Sequence, residues 1–367
     1  MEIFNTIKLE TTSNTYNIII GEDLLANIMQ FNIIQTLNPT KILIITDDTV
    51  QKLFADKVKA NLLDFYNNVY VYSVKSGELS KSLYDYEQII GYMLNNNFDR
   101  KSLIITLGGG VVGDLGGFVA ATYMRGIPFI QMPTTILAHD SSVGGKVAIN
   151  HKLGKNTIGA FYQPQAVIYD VSTIKTLPDI EIKSGIAEVV KHGHIYASEL
   201  ISWLVQNCHM IQELDNKTIA EMLYISCKVK SEIVAIDERE KGIRAFLNFG
   251  HTIAHGIESS IGYGNITHGL AVAIGMVSAA ILGYQKGITP QAVMEHIISI
   301  NKLLNLPVHI PECLEYQKII DYIMHDKKNI GGSLTFVLLK DIGSPVIVNN
   351  ISKSEVLFAL ETQRAIS

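Results

Sequence analysis

Leu103-Ile-Ile-Thr-Leu107 leads without a break into Gly108-Gly-Gly-Val-Val-Gly-Asp114-Leu-Gly-Gly117, and this stretch decides the fold. Its first five residues read as a strand buried on both faces. The glycines at 108, 110 and 113 fit G-x-G-x-x-G, and an apolar helical run follows them. Strand, glycine turn and helix in that order form the context in which this motif holds a dinucleotide. Glycine lets the backbone approach a pyrophosphate, and the helix start offers N–H groups and a positive dipole end. Alone, the same glycines could serve only a tight turn that seats helix on sheet. The acid expected about 20 residues on, for a ribose, is missing, because no Asp or Glu lies between Asp114 and Asp140. Thr46-Asp47-Asp48-Thr49, closing an earlier strand, is the candidate to replace it.

Outward from that turn, the first half alternates strands and helices. Ile3–Leu9 and Tyr16–Ile20 read as a hairpin. Ile42–Ile45, Val69–Val74, Leu103–Leu107, Phe129–Met132 and Val167–Tyr169 read as buried strands, with helical spacing between them, as at Leu83–Asn95. This pattern predicts an α/β fold with a Rossmann-like parallel sheet. After Leu177-Pro178 helical spacing dominates: Ile180–His192, Ile219–Ile236, His251–Ile261, Leu270–Gln285 and Pro290–Leu304. A short strand pair, Leu334–Leu339 and Val346–Val348, comes late. Two domains are expected, an α/β domain over 1–177 and a mainly α-helical one over 178–367.

The chain's 367 residues also suggest two domains, at about 150 residues each. With 47% hydrophobic and 18% charged residues, it is globular rather than disordered. A net charge of −5 without a basic run argues against nucleic acid as a partner. Cys208, Cys227 and Cys313 are far apart and form no CxxC pair, so neither a disulfide framework nor a thiolate metal site is implied. The N-terminus lacks the basic and apolar regions of a signal peptide, and a cytoplasmic location is expected. Gly269–Tyr284 is the longest uncharged apolar stretch; at 16 residues it falls short of the roughly 20 that a bilayer needs. It reads as a helix buried on all sides, with no membrane partner.

Eight of the eleven histidines fall between positions 139 and 268, which concentrates metal and acid–base chemistry there. His251 and His255 are spaced i, i+4, so both rings share one helix face. Such a pair suits a metal but lacks the Glu of H-E-x-x-H, and surface or hydrogen-bonded histidines fit it as well. Glu188-Val-Val-Lys191-His192 places a carboxylate and a lysine on one face of another helix. A carboxylate and two imidazoles would leave zinc open positions for water or substrate. Asp140-Ser-Ser-Val-Gly-Gly-Lys146 and Gly154-Lys155-Asn156 read as glycine-rich loops of the kind that hold phosphate. Lys230, Arg244 and Asn248 precede His251, while Asp237–Glu240 reads by itself as a solvated charged face.

Taken in order, these segments resemble the 3-dehydroquinate synthase family, of the sugar-phosphate cyclase group. The resembling stretches are Gly108–Asp114, Met124-Arg-Gly126, Pro133-Thr-Thr135, Asp140–Lys146, Gly154-Lys-Asn156, Ala187–Lys191, Leu247–Thr252 and His268-Gly269. The resemblance implies an N-terminal NAD-binding domain, a mainly helical metal- and substrate-binding domain, and an active site between them. It implies conversion of 3-deoxy-D-arabino-heptulosonate 7-phosphate, a small phosphate substrate, to 3-dehydroquinate and phosphate. NAD and a divalent metal, zinc or cobalt, would be cofactors, and a homodimer is expected. The implied metal ligands are Glu188, His251 and His268. His255, Glu240, Lys146 and Asp140 take catalytic roles, which overturns the solvated-face reading at Glu240. Substrate contacts map to Arg125, Asp140, Lys146, Asn156, Lys191, Lys230, Arg244, Asn248 and Lys327. NAD contacts map to Asp47, Glu78, Lys81, Gly109, Gly110, Val111, Val112, Gly113, Asp114, Thr134, Thr135, Lys155, Thr173 and Thr176. Between Thr135 and Asp140 the chain has one residue fewer than the commonest family pattern, and His139 has no family role.

Two other readings share this plan. A metal- and NAD-dependent polyol dehydrogenase would consume NAD and would need no phosphate cradle, so Lys146, Asn156 and Arg244 count against it. Another sugar-phosphate cyclase would act on a sugar phosphate without a carboxylate, so Lys230 and Arg244 favour dehydroquinate formation.

Overall fold

The computed structural model describes residues 1–262, 264–325 and 334–366. They form two compact units, Met1–Leu177 with Leu214–Arg239, and Pro178–Glu213 with the chain from Glu240 onward.

The first unit is built on nine strands: β1 (Glu2–Glu10), β2 (Thr15–Glu22), β3 (Ile42–Asp47), β4 (Val69–Val74), β5 (Leu103–Gly108), β6 (Phe129–Pro133), β7 (Lys146–His151), β8 (Gly154–Phe161) and β9 (Ala166–Asp170). Seven make one sheet in the order β1-β2-β9-β6-β5-β3-β4, parallel except for the antiparallel β1–β2 hairpin. Alternation explains the unbroken apolar runs. Ile42 and Ile44 of β3 enter one core with Ile105 and Ile168, whereas Leu43 and Ile45 enter the other with Ile104 and Phe129. From β3 the chain steps outward to β4, then returns past β3 to β5 and continues the other way to β6 and β9. The strand order therefore reverses between β3 and β5. Open α/β sheets hold ligands beyond the carboxyl ends of such strands. Asp47 ends β3, and the glycine turn follows β5.

Two sequence expectations are corrected here. The segments around Lys146 and Gly154–Asn156, expected as loops, form the antiparallel β7–β8 hairpin. Their glycines and polar residues hid a two-residue connection between short strands. The domain expected over 178–367 also loses its longest helix, Asn216–Ile236, which belongs with the first unit against β1, β2 and the short helix Ala138–Ser141. Periodicity identifies the buried face of a helix but not the surface that buries it.

The second unit is helical, with one antiparallel hairpin, β10 (Leu334–Asp341) and β11 (Ser344–Ile351). At its centre runs the helix His268–Gln285, flanked by helices Asp179–Ile195, His251–Ile261, Gln291–Leu303 and Lys353–Arg364. The central helix is long and apolar enough to cross a bilayer, but 78% of it is buried inside the protein. Two glycines set how closely its neighbours approach. A Cβ at Gly269 would lie 1.8 Å from the Ser184 carbonyl oxygen, and one at Gly275 would lie 2.0 Å from that of Gly250. The first contact draws the helix onto the one that carries Glu188; the second draws it onto the start of the helix that opens with His251.

Candidate active site

In the first unit, Gly109 caps the helix Gly110–Thr122, so the helix begins directly at the end of β5. Its inner face carries Gly113, where a Cβ would meet the Gln131 side chain at 2.8 Å, so glycine is what lets helix and sheet touch. Beside this turn the Thr134 hydroxyl is buried and has no hydrogen-bond partner among the described residues. The Thr46 hydroxyl on β3 is in the same condition. Buried hydroxyls without partners are costly, and a polar ligand lying over these strand ends would satisfy them. The residues thus fit a dinucleotide.

Around this turn stand other expected NAD contacts. The Asp47 carboxylate accepts hydrogen bonds from the backbone N–H groups of Thr49 and Val50, each at 2.9 Å, and one from the Ser76 hydroxyl. Lys81 and Asp114 form an ion pair. Burial pushes the Asp114 carboxyl up from its ordinary range, and the Lys81 ammonium works against that. Glu78 accepts from the Asn150 amide at 2.8 Å, and its carboxylate lies 4.0 Å from the Lys155 ammonium. Asn150 was not singled out from the sequence. Its side-chain carbonyl also accepts the Asn156 N–H at 2.8 Å, so one half-buried amide ties an expected NAD contact to an expected phosphate contact. Thr173 and Thr176 donate their hydroxyls to Asp170 and Thr173 carbonyls within their own turn, and Tyr169 donates to the Thr135 carbonyl.

Elsewhere in the first unit, the Lys230 ammonium lies 2.8 Å from Asp140 Oδ1, which joins the helix Asn216–Ile236 to the short helix Ala138–Ser141. The neighbouring His139 is fully buried, with Nδ1 2.7 Å from the Ile136 carbonyl, so its ring is tied to the backbone just before its own helix. Lys146 opens β7 with an exposed side chain. Arg125 (φ 69°) and Asn156 (φ 54°) hold left-handed backbone at exposed positions. Among the described residues no side-chain hydrogen bond or ion pair links Arg125 to these groups.

In the second unit, Glu188, His251 and His268 each place a donor atom within 4.8 Å of the others. Glu188 Oε1 lies 3.5 Å from His251 Nε2 and 3.4 Å from His268 Nε2. Ligands held at about 2.0–2.1 Å by a tetrahedral zinc stand about 3.3–3.4 Å apart, so this spacing fits such an ion. The outward nitrogens are also engaged: His251 Nδ1 lies 3.2 Å from the Phe249 carbonyl, and His268 Nδ1 lies 3.3 Å from Glu258 Oε2. Carbonyls and carboxylates at that position fix ring orientation. Glu258 is a member the sequence reading missed, although its place three residues past His255 on the same helix face was a signal. Burial, then the Lys191 ammonium, holds the His251 imidazole well below its usual range, which leaves it neutral as a ligand must be; Glu188 pulls the other way.

Lys191 lies one helical turn beyond Glu188, fully buried, with Nζ 2.5 Å from Glu188 Oε2. Arg244 is also fully buried, in the turn Ile243–Asn248. Asn248 donates its amide to Glu240 Oε1 at 2.9 Å. Glu240, the acceptor, is half-buried and holds left-handed backbone at φ 54°. The His255 ring stands 5.8 Å from that of His251 and 6.0 Å from that of His268, centroid to centroid. Lys327 lies outside the described residues.

The chain matches the family described as 3-dehydroquinate synthase, N-terminal, over residues 71–184, and its C-terminal counterpart over 185–329. It is 45% identical over 356 residues to the 3-dehydroquinate synthase of Desulforamulus reducens, covering 97% of this chain and 99% of that one. It is also 45% identical to that of Bacillus pumilus, covering 93% of each. Among solved structures it shares the fold of 2-deoxy-scyllo-inosose synthase complexed with carbaglucose-6-phosphate, NAD+ and Co2+ (TM-score 0.89, 24% identity, 98% and 99% coverage). A probable glycerol dehydrogenase from Sinorhizobium meliloti is more distant in fold (TM-score 0.65, 14% identity, 94% and 96% coverage). Both halves of the family pattern are present and relatives at this identity span nearly the whole chain, so the protein belongs to the 3-dehydroquinate synthase family.

Proposed function

We propose that this chain converts 3-deoxy-D-arabino-heptulosonate 7-phosphate to 3-dehydroquinate and phosphate, a step of the shikimate route to aromatic amino acids. The observation that carries the reading is the Glu188–His251–His268 donor set, spaced for a zinc-like ion, in a chain of this family. The neighbour solved with a sugar-phosphate analogue, NAD+ and Co2+ supports the same cofactors here, NAD with zinc or cobalt. An ion held by Glu188, His251 and His268 would supply Lewis-acid polarisation of a substrate hydroxyl, and NAD seated at the glycine turn would supply reversible hydride transfer with no net oxidation.

The chain's own residues supply the rest. Glu188, His251 and His268 hold the ion. Gly109–Gly113, Asp114, Thr134, Thr135, Asp47, Glu78, Lys81, Lys155, Thr173 and Thr176 seat the dinucleotide. Lys146 and Asn156 hold the departing phosphate as its charge develops, with Arg125 and Lys327 as further substrate contacts. Lys230, positioned by Asp140, and Arg244 hold the substrate carboxylate, Arg244 by a two-pronged grip. Lys191 stands at the metal carboxylate where a substrate oxygen arrives, and Asn248 is oriented by Glu240. His255 takes and returns a proton at a ring nitrogen. The proposed dinucleotide contacts fall in the first compact unit and the proposed ligands of the ion in the second. With this activity go the class of a carbon–oxygen lyase, a cytoplasmic location and a homodimer.

The test is to incubate the protein with the heptulosonate phosphate, catalytic NAD and zinc. Phosphate release with no accumulation of NADH supports the reading. NADH formed in step with substrate loss would indicate a polyol dehydrogenase instead. Turnover of a hexose phosphate in preference to the heptulosonate would indicate another cyclase.

A further inference from the structure

His268 stands between two carboxylates. Its Nε2 lies 3.4 Å from Glu188 and its Nδ1 lies 3.3 Å from Glu258. His255, Glu258 and His268 form a second set of donor atoms, all within 4.8 Å of one another, with Glu258 on the Nδ1 side of the His268 ring. The 3.3 Å edge is again the spacing that a small tetrahedral ion imposes on its ligands. Glu258 is buried, and it sits on the same helix as His255, one turn on. We infer that this chain has a second, weaker zinc site made by His255, Glu258 and Nδ1 of His268, and that zinc bound there inhibits the enzyme.

Donor chemistry selects the ion. Two imidazoles and one carboxylate suit zinc and its transition-metal neighbours, and disfavour magnesium or calcium, which want oxygen. The site is weaker than the first for two reasons. Two dications sharing one imidazole repel each other, and a ring bound through both nitrogens must give up its remaining proton to solvent. Inhibition follows from His255. A nitrogen committed to an ion cannot take and return a proton, which is the role proposed for it above. The inference rests on the proposed function only for that consequence; the site itself rests on geometry.

The test counts metal. After chelation, the full-length protein is dialysed against rising zinc, and bound zinc is measured by elemental analysis, with phosphate release followed in parallel. The parent chain takes one equivalent tightly and a second at least tenfold more weakly, and activity falls as the second binds. E258Q and H255A each keep the first equivalent and lose the second. Magnesium at the same concentrations adds nothing. Saturation of the parent chain at one equivalent overturns the inference, as does full second-equivalent binding in both variants. Two equivalents in a chain without the proposed activity would leave the site standing and remove the proposed function, so the two failures are distinguishable. Binding of no zinc at all overturns both sites.

Discussion

Replacing Glu188 with Gln separates two roles that the structure gives one carboxylate. Oε1 faces His251 and His268, and Oε2 lies 2.5 Å from the ammonium of Lys191. Glu188 is 1% exposed and Lys191 is 0% exposed, so water screens neither charge. Removing one member of a buried ion pair costs about 3–5 kcal/mol, because the other charge stays buried without its counter-charge. At about 2–4 °C per kcal/mol for a unit of this size, the unfolding midpoint should fall by about 6–20 °C. The measurement is thermal unfolding in chelator, which removes any stabilisation by bound metal from both proteins. Adding Lys191→Met to E188Q replaces the stranded ammonium with an apolar chain of similar length and should recover much of the loss. Separately, phosphate release by E188Q at saturating zinc should fall by more than about 100-fold, beyond what loss of a residue that merely orients a ligand costs. An unchanged midpoint in chelator would refute the ion-pair argument. Near-normal phosphate release would refute the metal assignment.

His255→Ala should lower kcat by about 10²–10⁴, the usual worth of a positioned acid–base group, while the first zinc equivalent is kept; elemental analysis beside kinetics checks both. Gly269→Ala puts a Cβ against a backbone carbonyl at 1.8 Å, so the central helix must withdraw from the Glu188 helix. Zinc affinity should therefore drop at least tenfold although every ligand remains, and unchanged affinity in a folded G269A would break the link between helix spacing and the site. Glu238 accepts from the Thr12 and Ser13 hydroxyls and from the Gln163 amide. Burial pushes its carboxyl up, but these hydrogen bonds prevail and hold it at about 2, below the ordinary 4.5. A carboxyl lowered on folding stabilises the fold above its unfolded value and loses that contribution as pH falls. The stability gap between the parent and E238Q should be about 1.5–3 kcal/mol at neutral pH and shrink between pH 4.5 and 2, as urea unfolding would show.

Much of the fold was legible because its signals are local. Leu103–Leu107 followed by glycines needs only neighbours in sequence to be read as strand, turn and helix. The β7–β8 hairpin escaped because Lys146, Gly154, Lys155 and Asn156 look like loop chemistry, and a strand pair with one exposed face has little apolar alternation to show. The helix Asn216–Ile236 was seen as a helix but placed in the wrong unit, since its partners β1 and β2 lie some 200 residues away in sequence.

The candidate site divides along the same line. Glu188, His251 and His268 could be named only through resemblance, because no spacing rule links residues on three separate helices. What brings them together is the close approach of helices at Gly269 and Gly275, and glycine there has a reason that the sequence alone does not disclose. A side chain at either position would hold the central helix away from a backbone carbonyl, and with it His268 or the first turn of the His251 helix. The missed residue, Glu258, follows from the same geometry. With His268 facing Glu188 through one nitrogen, its other nitrogen points to the opposite side of the ring, where a carboxylate can fix the ring's orientation. The helix His251–Ile261 supplies that carboxylate at the position one turn beyond His255. One apolar helix, seated by glycines, therefore sets His268 between Glu188, a proposed fellow ligand, and Glu258, the carboxylate that orients its ring.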